Sequence, residues 1–207
     1  GPDRPVLRGC DLAVAAGQRV ALRGANGSGK TTLLHLIVGL ARPGSGCVEV
    51  FGRPRREEAD FQEVRRRVGL LFQDSDDQLF CPTVGEDVAF GPLNLGVPRD
   101  AVRRRVDETL DMLGLSGYGP RVTYRLSGGE KRLAALAAVL AMRPEVLLLD
   151  EPAAGLDEAS TERLVAALQG LPQPMLIVSH DRGFLRRIAS RWVSLRDGRI
   201  VDQSPPE

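Results

Sequence analysis

The chain has 207 residues, 43% of them hydrophobic and 27% charged, with a formal net charge of +1. A chain of this size builds one sizeable core, and its balanced charge supplies no concentrated basic face for nucleic acid. No apolar run approaches the roughly 20 residues that cross a bilayer, so any membrane association is expected to come through a partner. Cys10, Cys47 and Cys81 are odd in number, far apart and outside any metal-ligand spacing, which fits a reducing compartment and three structural thiols.

The chain opens on Gly1-Pro2 without a methionine, which reads as a tag remnant or an internal start, and it lacks the layout of a secretion signal. Arg19 to Gly24 is a short apolar strand running into a Gly-rich turn, and Thr31 to Leu40 has helical character. Gly44, Gly46 and Gly52 bracket a strand from Cys47 to Phe51, and Val68 to Phe72 makes another. From Val84 to Met142 the signals are helical: GEDVAF, an amphipathic stretch from Asp100 to Leu115, and an alanine-rich run from Lys131 that ends before Pro144. EVLLLD, Glu145 to Asp150, is the continuous apolar run of a strand buried on both faces of a parallel sheet. A helix (Glu158 to Gln169), a strand (Met175 to His180) and a helix (Arg182 to Ala189) alternate after it, and Arg191 to Gln203 reads as a hairpin about Asp197-Gly198. The expected organisation is a single domain, with an α/β core over 1–72 and 145–207 and a helical subdomain inserted at 73–144. The arginine runs at 65–67 and 103–105 read as solvated faces.

GANGSGKT, Gly24 to Thr31, fits G-x-x-x-x-G-K-[ST] between a predicted strand and a predicted helix, the context this phosphate-binding loop requires. Its glycines let backbone N–H groups turn toward phosphates at a helix start. Lys30 is assigned to the β- and γ-phosphates and the Thr31 hydroxyl to Mg²⁺. Gly24, Ala25, Asn26, Gly27, Ser28, Gly29, Lys30, Thr31 and Thr32 are the nucleotide-binding candidates on this loop. The chain has 28 Lys and Arg together, of which only Lys30 and Lys131 are lysine. A compact ammonium is therefore expected to matter at position 30, while for Lys131 chance is the simpler reading. Asp150, at the carboxyl end of its strand, is a candidate for holding Mg²⁺ through water. Glu151 is a candidate general base for the attacking water.

LSGGE, Leu126 to Glu130, lies shortly before that strand and opens a helix. It resembles the signature motif of the ABC (ATP-binding cassette) ATPases, with Ser127, Gly128 and Gly129 suited to a phosphate. Other positions match the family in order. Gln73 resembles the Q-loop glutamine that senses Mg²⁺ and water, Ala153 to Asp157 the D-loop, and His180 the switch histidine of the γ-phosphate, while His35 reads as a packing residue. The resemblance implies a P-loop NTPase fold of the ABC type: a mainly parallel core sheet, N-terminal antiparallel strands and an inserted helical subdomain. It also implies ATP hydrolysis with Mg²⁺ in a head-to-tail dimer, where Ser127, Gly128, Gly129 and Asp157 serve the nucleotide of the opposite subunit.

Phe72 to Pro98 is similar to the Q-loop region of the energy-coupling-factor importers, the group that includes cobalt and nickel uptake ATPases. That resemblance implies a second cassette, identical or paralogous, a transmembrane coupling protein and a substrate-binding membrane protein as partners. It places the chain peripherally at the cytoplasmic face of the cell membrane. Leu79 and Phe80, beside Asp76 and Asp77, are readable either as an apolar anchor with a polar rim or as packing inside the helical subdomain. No Phe, Tyr or Trp lies between Gly1 and Lys30, where relatives stack an aromatic on adenine. Either that residue precedes Gly1 or the adenine contacts are aliphatic. VSHDRGFL, Val178 to Leu185, resembles soluble ABC ATPases that act on the ribosome, which carry two cassettes per chain. A DNA-repair ATPase would need coiled-coil heptads, and none is present.

Overall fold

A computed structural model describes residues 6–204 of the chain, so the Gly1-Pro2 start lies outside the described residues. Two compact units divide the chain. One comprises the chain through Leu70 with Glu145–Asp150 and the chain from Gln173 onward; the other comprises Leu71–Pro144 and Glu151–Pro172.

The first unit is built on a six-stranded sheet in the order β4-β5-β6-β1-β7-β8. Its strands are β1 (Arg19–Arg23), β4 (Val68–Leu71), β5 (Val146–Asp150), β6 (Met175–Val178), β7 (Arg191–Arg196) and β8 (Arg199–Gln203). β1 runs parallel to β6 and β7, β5 runs parallel to β6, and β8 closes an antiparallel hairpin with β7. A short antiparallel pair, β2 (Val48–Val50) and β3 (Arg53–Arg55), stands apart from the sheet. Helices α1 (Lys30–Ile37), α2 (Glu58–Arg67) and α7 (Arg182–Ile188) complete the unit.

β1 is central because Val20, Ala21 and Leu22 are wholly buried, leaving no polar face along the strand. Leu33 and Leu34 of α1, Phe61 and Val64 of α2, and Leu148, Leu176, Val178 and Val193 of the sheet form one apolar cluster with Val20 and Leu22. Each fully buried side chain of this kind contributes roughly 1.5–3 kcal/mol. α2 was not evident from periodicity, since Phe61 and Val64 are its only buried residues. It stands on a capping box between Glu57 and Asp60. In its arginine run Arg66 is exposed, as a solvated face requires, while Arg65 and Arg67 are tied down. Arg65 donates to the Val38 carbonyl at 3.1 Å, and Arg67 donates to Glu145 at 2.7 and 2.8 Å while lying over the Phe51 ring.

The second unit is helical: α3 (Val84–Asn94), α4 (Arg99–Met112), α5 (Gly128–Ala141) and α6 (Glu158–Gly170), with a 3₁₀ turn at Thr123–Arg125. α3, α4 and α5 pack on one another. α4 presents Val102, Val106 and Leu110 at four-residue spacing, the stripe of a half-buried helix. α5 is buried nearly all round from Arg132 to Ala141, and its alanines allow neighbouring helices to approach closely. No helix among the described residues is long and apolar enough to cross a membrane.

Candidate nucleotide-binding site

Sheet register brings three chain segments of the first unit to one edge. Leu22 pairs with Val178, and Val178 with Asp150, so the turn after β1, the end of β5 and the Ser179-His180 segment leave the sheet at the same level. Ligands of open α/β sheets bind outside such carboxyl ends.

The turn from Gly24 to Gly29 depends on glycine for two separate reasons. A Cβ on Gly24 would lie 2.6 Å from Ser28 Oγ and 2.8 Å from the Leu195 carbonyl oxygen. Gly27 and Gly29 take φ of 74° and 104°, which L side chains rarely adopt. Gly29 is also the N-cap of α1, whose first turn carries no acidic residue and no side-chain cap, so the helix N-terminus is suited to an anion. Lys30 is buried, and its Nζ donates to the Gly24 and Ala25 carbonyls at 2.9 and 3.0 Å, holding the ammonium against the loop. Ser28 Oγ is buried with no hydrogen-bond partner, a polar atom that a bound phosphate would satisfy.

Thr31 Oγ1 donates to Asp150 Oδ2 at 2.7 Å, and Asp150 is buried at the end of β5. These are hard oxygen donors on two elements, and among the described residues no group of three or more His, Cys, Asp or Glu gathers for a metal. Such a sparse protein donor set fits Mg²⁺, which characteristically takes one or two protein oxygens and completes its shell with phosphates and water. His180 is exposed just past β6, ahead of Asp181, whose carboxylate caps α7 by accepting from Phe184 N at 3.0 Å. Burial, then the charge of Arg182, lowers the Arg23 guanidinium from its ordinary value. Sequence reasoning did not single out either arginine.

The second unit holds the remaining candidates. Ser127 is the N-cap of α5, with its Oγ accepting from Glu130 N at 3.2 Å and Glu130 Oε2 accepting from Ser127 N at 2.8 Å. The Tyr118 hydroxyl donates to Glu130 Oε1 at 2.7 Å. This bond, then the Ser127 N–H, holds the Glu130 carboxyl below its usual range, and the same pairing pushes the Tyr118 phenol up. Ser127 and Gly128 are exposed, which leaves the helix start open. A Cβ on Gly129 would come within 3.1 Å of the Gly155 carbonyl, so the segment of Ala153 to Asp157 lies against α5. Asp157 caps α6, accepting from Ser160 N at 2.7 Å.

Glu151 takes a left-handed φ of 50°, a conformation costing roughly 1–2 kcal/mol in a non-glycine residue. Its carbonyl accepts from Ala154 N at 3.1 Å and from Arg132 Nε and Nη2 at 3.1 and 2.7 Å. Arg132 Nη1 also donates to the carbonyls of Phe72 and Gln73. Lys131 Nζ meets Asp76 Oδ1 at 2.6 Å, so a lysine whose placement looked incidental is engaged with the segment after Gln73. Neither Arg132 nor Asp87 stood out in the sequence, because a buried arginine or aspartate has no linear motif. Asp87 Oδ1 accepts from the Phe80 and Cys81 amides at 3.0 and 2.9 Å, fixing that segment on α3. Phe80 itself is 64% exposed and meets Phe90 edge to face, with ring centroids 4.8 Å apart.

A parallel sheet whose central strand turns through glycine into a helix headed by lysine and threonine, with an aspartate at a neighbouring strand end, defines a P-loop nucleotide-binding protein. Residues 7–154 match the family model described as ABC transporter. The chain belongs to the ABC transporter family and is an ATP-binding, ATP-hydrolysing subunit. It is 43% identical to the energy-coupling factor transporter ATP-binding protein EcfA of Methanothermobacter thermautotrophicus, over 98% of this chain and 66% of that protein. It is 44% identical to the cobalt import ATP-binding protein CbiO of Syntrophus aciditrophicus, over 99% of this chain and 74% of that one. Among solved structures, cbiO1 from Clostridium perfringens, part of the ABC transporter complex cbiONQ, superposes with a TM-score of 0.85 at 33% identity, covering 97% of this chain and 82% of its own. The dimeric cassette MJ0796, in a post-hydrolysis state with ADP and Pi, gives 0.88 at 26% identity, covering 98% and 91%.

Proposed function

We propose that this subunit powers an importer of the energy-coupling-factor type, for cobalt, nickel or vitamin uptake, from the cytoplasmic face of the cell membrane. Two cassettes, identical or paralogous, close head to tail on two ATP molecules and reopen after hydrolysis. The observation that carries the ATPase part of this reading is the Thr31–Asp150 pair beside the Lys30 loop. Lys30 holds the β- and γ-phosphates while the loop amides and Thr32 complete the cradle. Thr31 and Asp150, with Gln73, would hold Mg²⁺, which when bound neutralises charge developing on the phosphates. Glu151 takes a proton from the attacking water as general base, and His180 contacts the γ-phosphate. Ser127, Gly128, Gly129 and Asp157 serve the nucleotide of the opposite cassette.

The importer class is supported by the EcfA, CbiO and cbiO1 likenesses and by the exposed aromatic pair Phe80–Phe90. Leu93, one helical turn beyond Phe90, is 47% exposed and extends this apolar patch along α3. Such a patch suits an apolar anchor in a membrane-embedded coupling protein, which would in turn hold a substrate-binding companion.

The test is affinity capture with tagged Glu151→Gln from detergent-solubilised cells of the source organism, with ATP and Mg²⁺, followed by mass spectrometry. A variant arrested at hydrolysis retains the closed, partner-bound state. Recovery of a small integral membrane protein with its substrate-binding companion is the expected result. Ribosomal proteins without membrane partners would overturn the importer reading.

A further inference from the structure

We infer that Arg132 is a positioning residue for hydrolysis, setting the Gln73 segment and Glu151 together from the helix that carries the signature motif. The inference rests on the roles proposed above for Gln73 and Glu151.

Arg132 lies on α5, five residues after Ser127, and is 3% exposed. A charge buried so deeply is costly unless its donors are met. Two edges of the guanidinium face two chain segments. Nε and Nη2 both donate to the Glu151 carbonyl, at 3.1 and 2.7 Å, while Nη1 donates to the Phe72 carbonyl and, at 3.1 Å, to the Gln73 carbonyl. One planar group therefore spans residues 60 positions before it and 19 positions after it in sequence.

What this holds is backbone direction. Glu151 sits at φ 50°, where an L residue stays only when its surroundings fix it. The Ala154 N–H and two guanidinium donors converge on its carbonyl, and the orientation of that peptide decides where the Glu151 side chain leaves the main chain. The Gln73 carbonyl is held in the same way, so the aim of both side chains follows α5. Lysine cannot replace this. Its three donors radiate from one atom on a flexible stem, whereas the fork of arginine presents donors along two edges in one plane. Lys131, the neighbouring cation, reinforces the tie through Asp76 but reaches only a side chain.

The test uses the full chain with Mg-ATP. Arg132→Lys is expected to bind ATP within twofold of the parent by calorimetry, to keep KM nearly unchanged and to lose at least tenfold in kcat. Because Arg132 acts through Gln73 and Glu151 together, adding Arg132→Lys to Gln73→Ala/Glu151→Gln should leave the residual single-turnover rate as it is in that double variant. Arg132→Gln, which retains one amide donor group, gives the same readouts should the lysine variant fold poorly, and its kcat is expected to fall at least as far. A folded Arg132→Lys or Arg132→Gln with parental kcat overturns the inference. So does a triple variant in which the loss from Arg132→Lys multiplies onto that of Gln73→Ala/Glu151→Gln. Normal hydrolysis by Glu151→Gln alone would instead sink the assignment of the general base, a separate failure.

Discussion

Gly24→Ala tests the geometry of the phosphate loop through a contact that cannot relax. The added Cβ would stand 2.6 Å from Ser28 Oγ and 2.8 Å from the Leu195 carbonyl oxygen. The serine hydroxyl can rotate away. The Leu195 oxygen belongs to the backbone of β7, which is paired with β1 on one side and β8 on the other, so the loop must yield. Gly24 is not among the positive-φ residues, and the cost is steric alone. Overpacking of this kind costs about 1–3 kcal/mol. At about 2–4 °C per kcal/mol for a chain of this size, the melting temperature should fall by roughly 2–12 °C. The Gly24 carbonyl is one of the two acceptors of Lys30 Nζ, so displacing it also moves the ammonium, and ATP affinity should drop about tenfold or more, equivalent to about 1.4 kcal/mol. Calorimetric melting and ATP titration read both effects. A Gly24→Ala protein that melts within about 1 °C of the parent and binds ATP equally well would refute the packing argument. Gly27→Ala is the comparison: its Cβ would meet nothing within 4 Å, and its cost comes only from φ 74°.

Other consequences are equally specific. The folded state holds the Glu130 carboxyl below its usual range, so its bonds stabilise the protein above the unfolded carboxyl pKa and are lost as pH falls through the folded value. Glu130→Gln should flatten the acid limb of the stability curve, and an unchanged limb would count against the Tyr118–Glu130–Ser127 arrangement. Burial, with the Asp87 carboxylate beside it, pushes the Cys81 thiol up to about 11, whereas Cys47 is exposed. Iodoacetamide at pH 8 should therefore modify Cys47 well before Cys81, by about tenfold or more in rate as mapped by peptide mass spectrometry, and equal rates would contradict the placement of Cys81. Phe80→Ser should leave the melting temperature nearly unchanged, since the ring is 64% exposed, but cut capture of the membrane partner. Undiminished capture would remove this surface from the proposed interface.

The fold was legible where burial or chemistry is periodic along the chain. Val20 to Leu22 and Leu147 to Leu149 are buried on both faces of the sheet, and an unbroken apolar run announces that directly. The loop was legible because a backbone that must turn inward requires glycine at particular places. α2 was not, because two buried side chains in ten residues make no period, and its arginines are engaged at distant points such as Val38 and Glu145. β2 also ends at Val50, one residue before the expected end, because Phe51 turns to φ 56° ahead of Gly52. The candidate residues on the phosphate loop could be proposed from spacing and context, and those of the signature stretch from a resemblance to the family. Arg132, which holds the Phe72-Gln73 and Glu151 carbonyls, and Asp87, which holds the Phe80 and Cys81 amides, could not, since their partners are main-chain atoms whose positions exist only after folding.

The scarcity of lysine acquires a practical meaning once both lysines are placed. Lys30 sits against the carbonyls of the nucleotide loop, and Lys131 meets Asp76 beside the Gln73 segment. Side-chain amine chemistry on this molecule is thus confined to two addresses, one in each unit. Reductive methylation followed by peptide mapping becomes a two-channel readout, one channel reporting occupancy of the loop and the other the integrity of the signature-helix tether. Any acetylating or crosslinking agent aimed at lysine side chains strikes this ATPase at those two positions, while its abundant arginines are left unmodified.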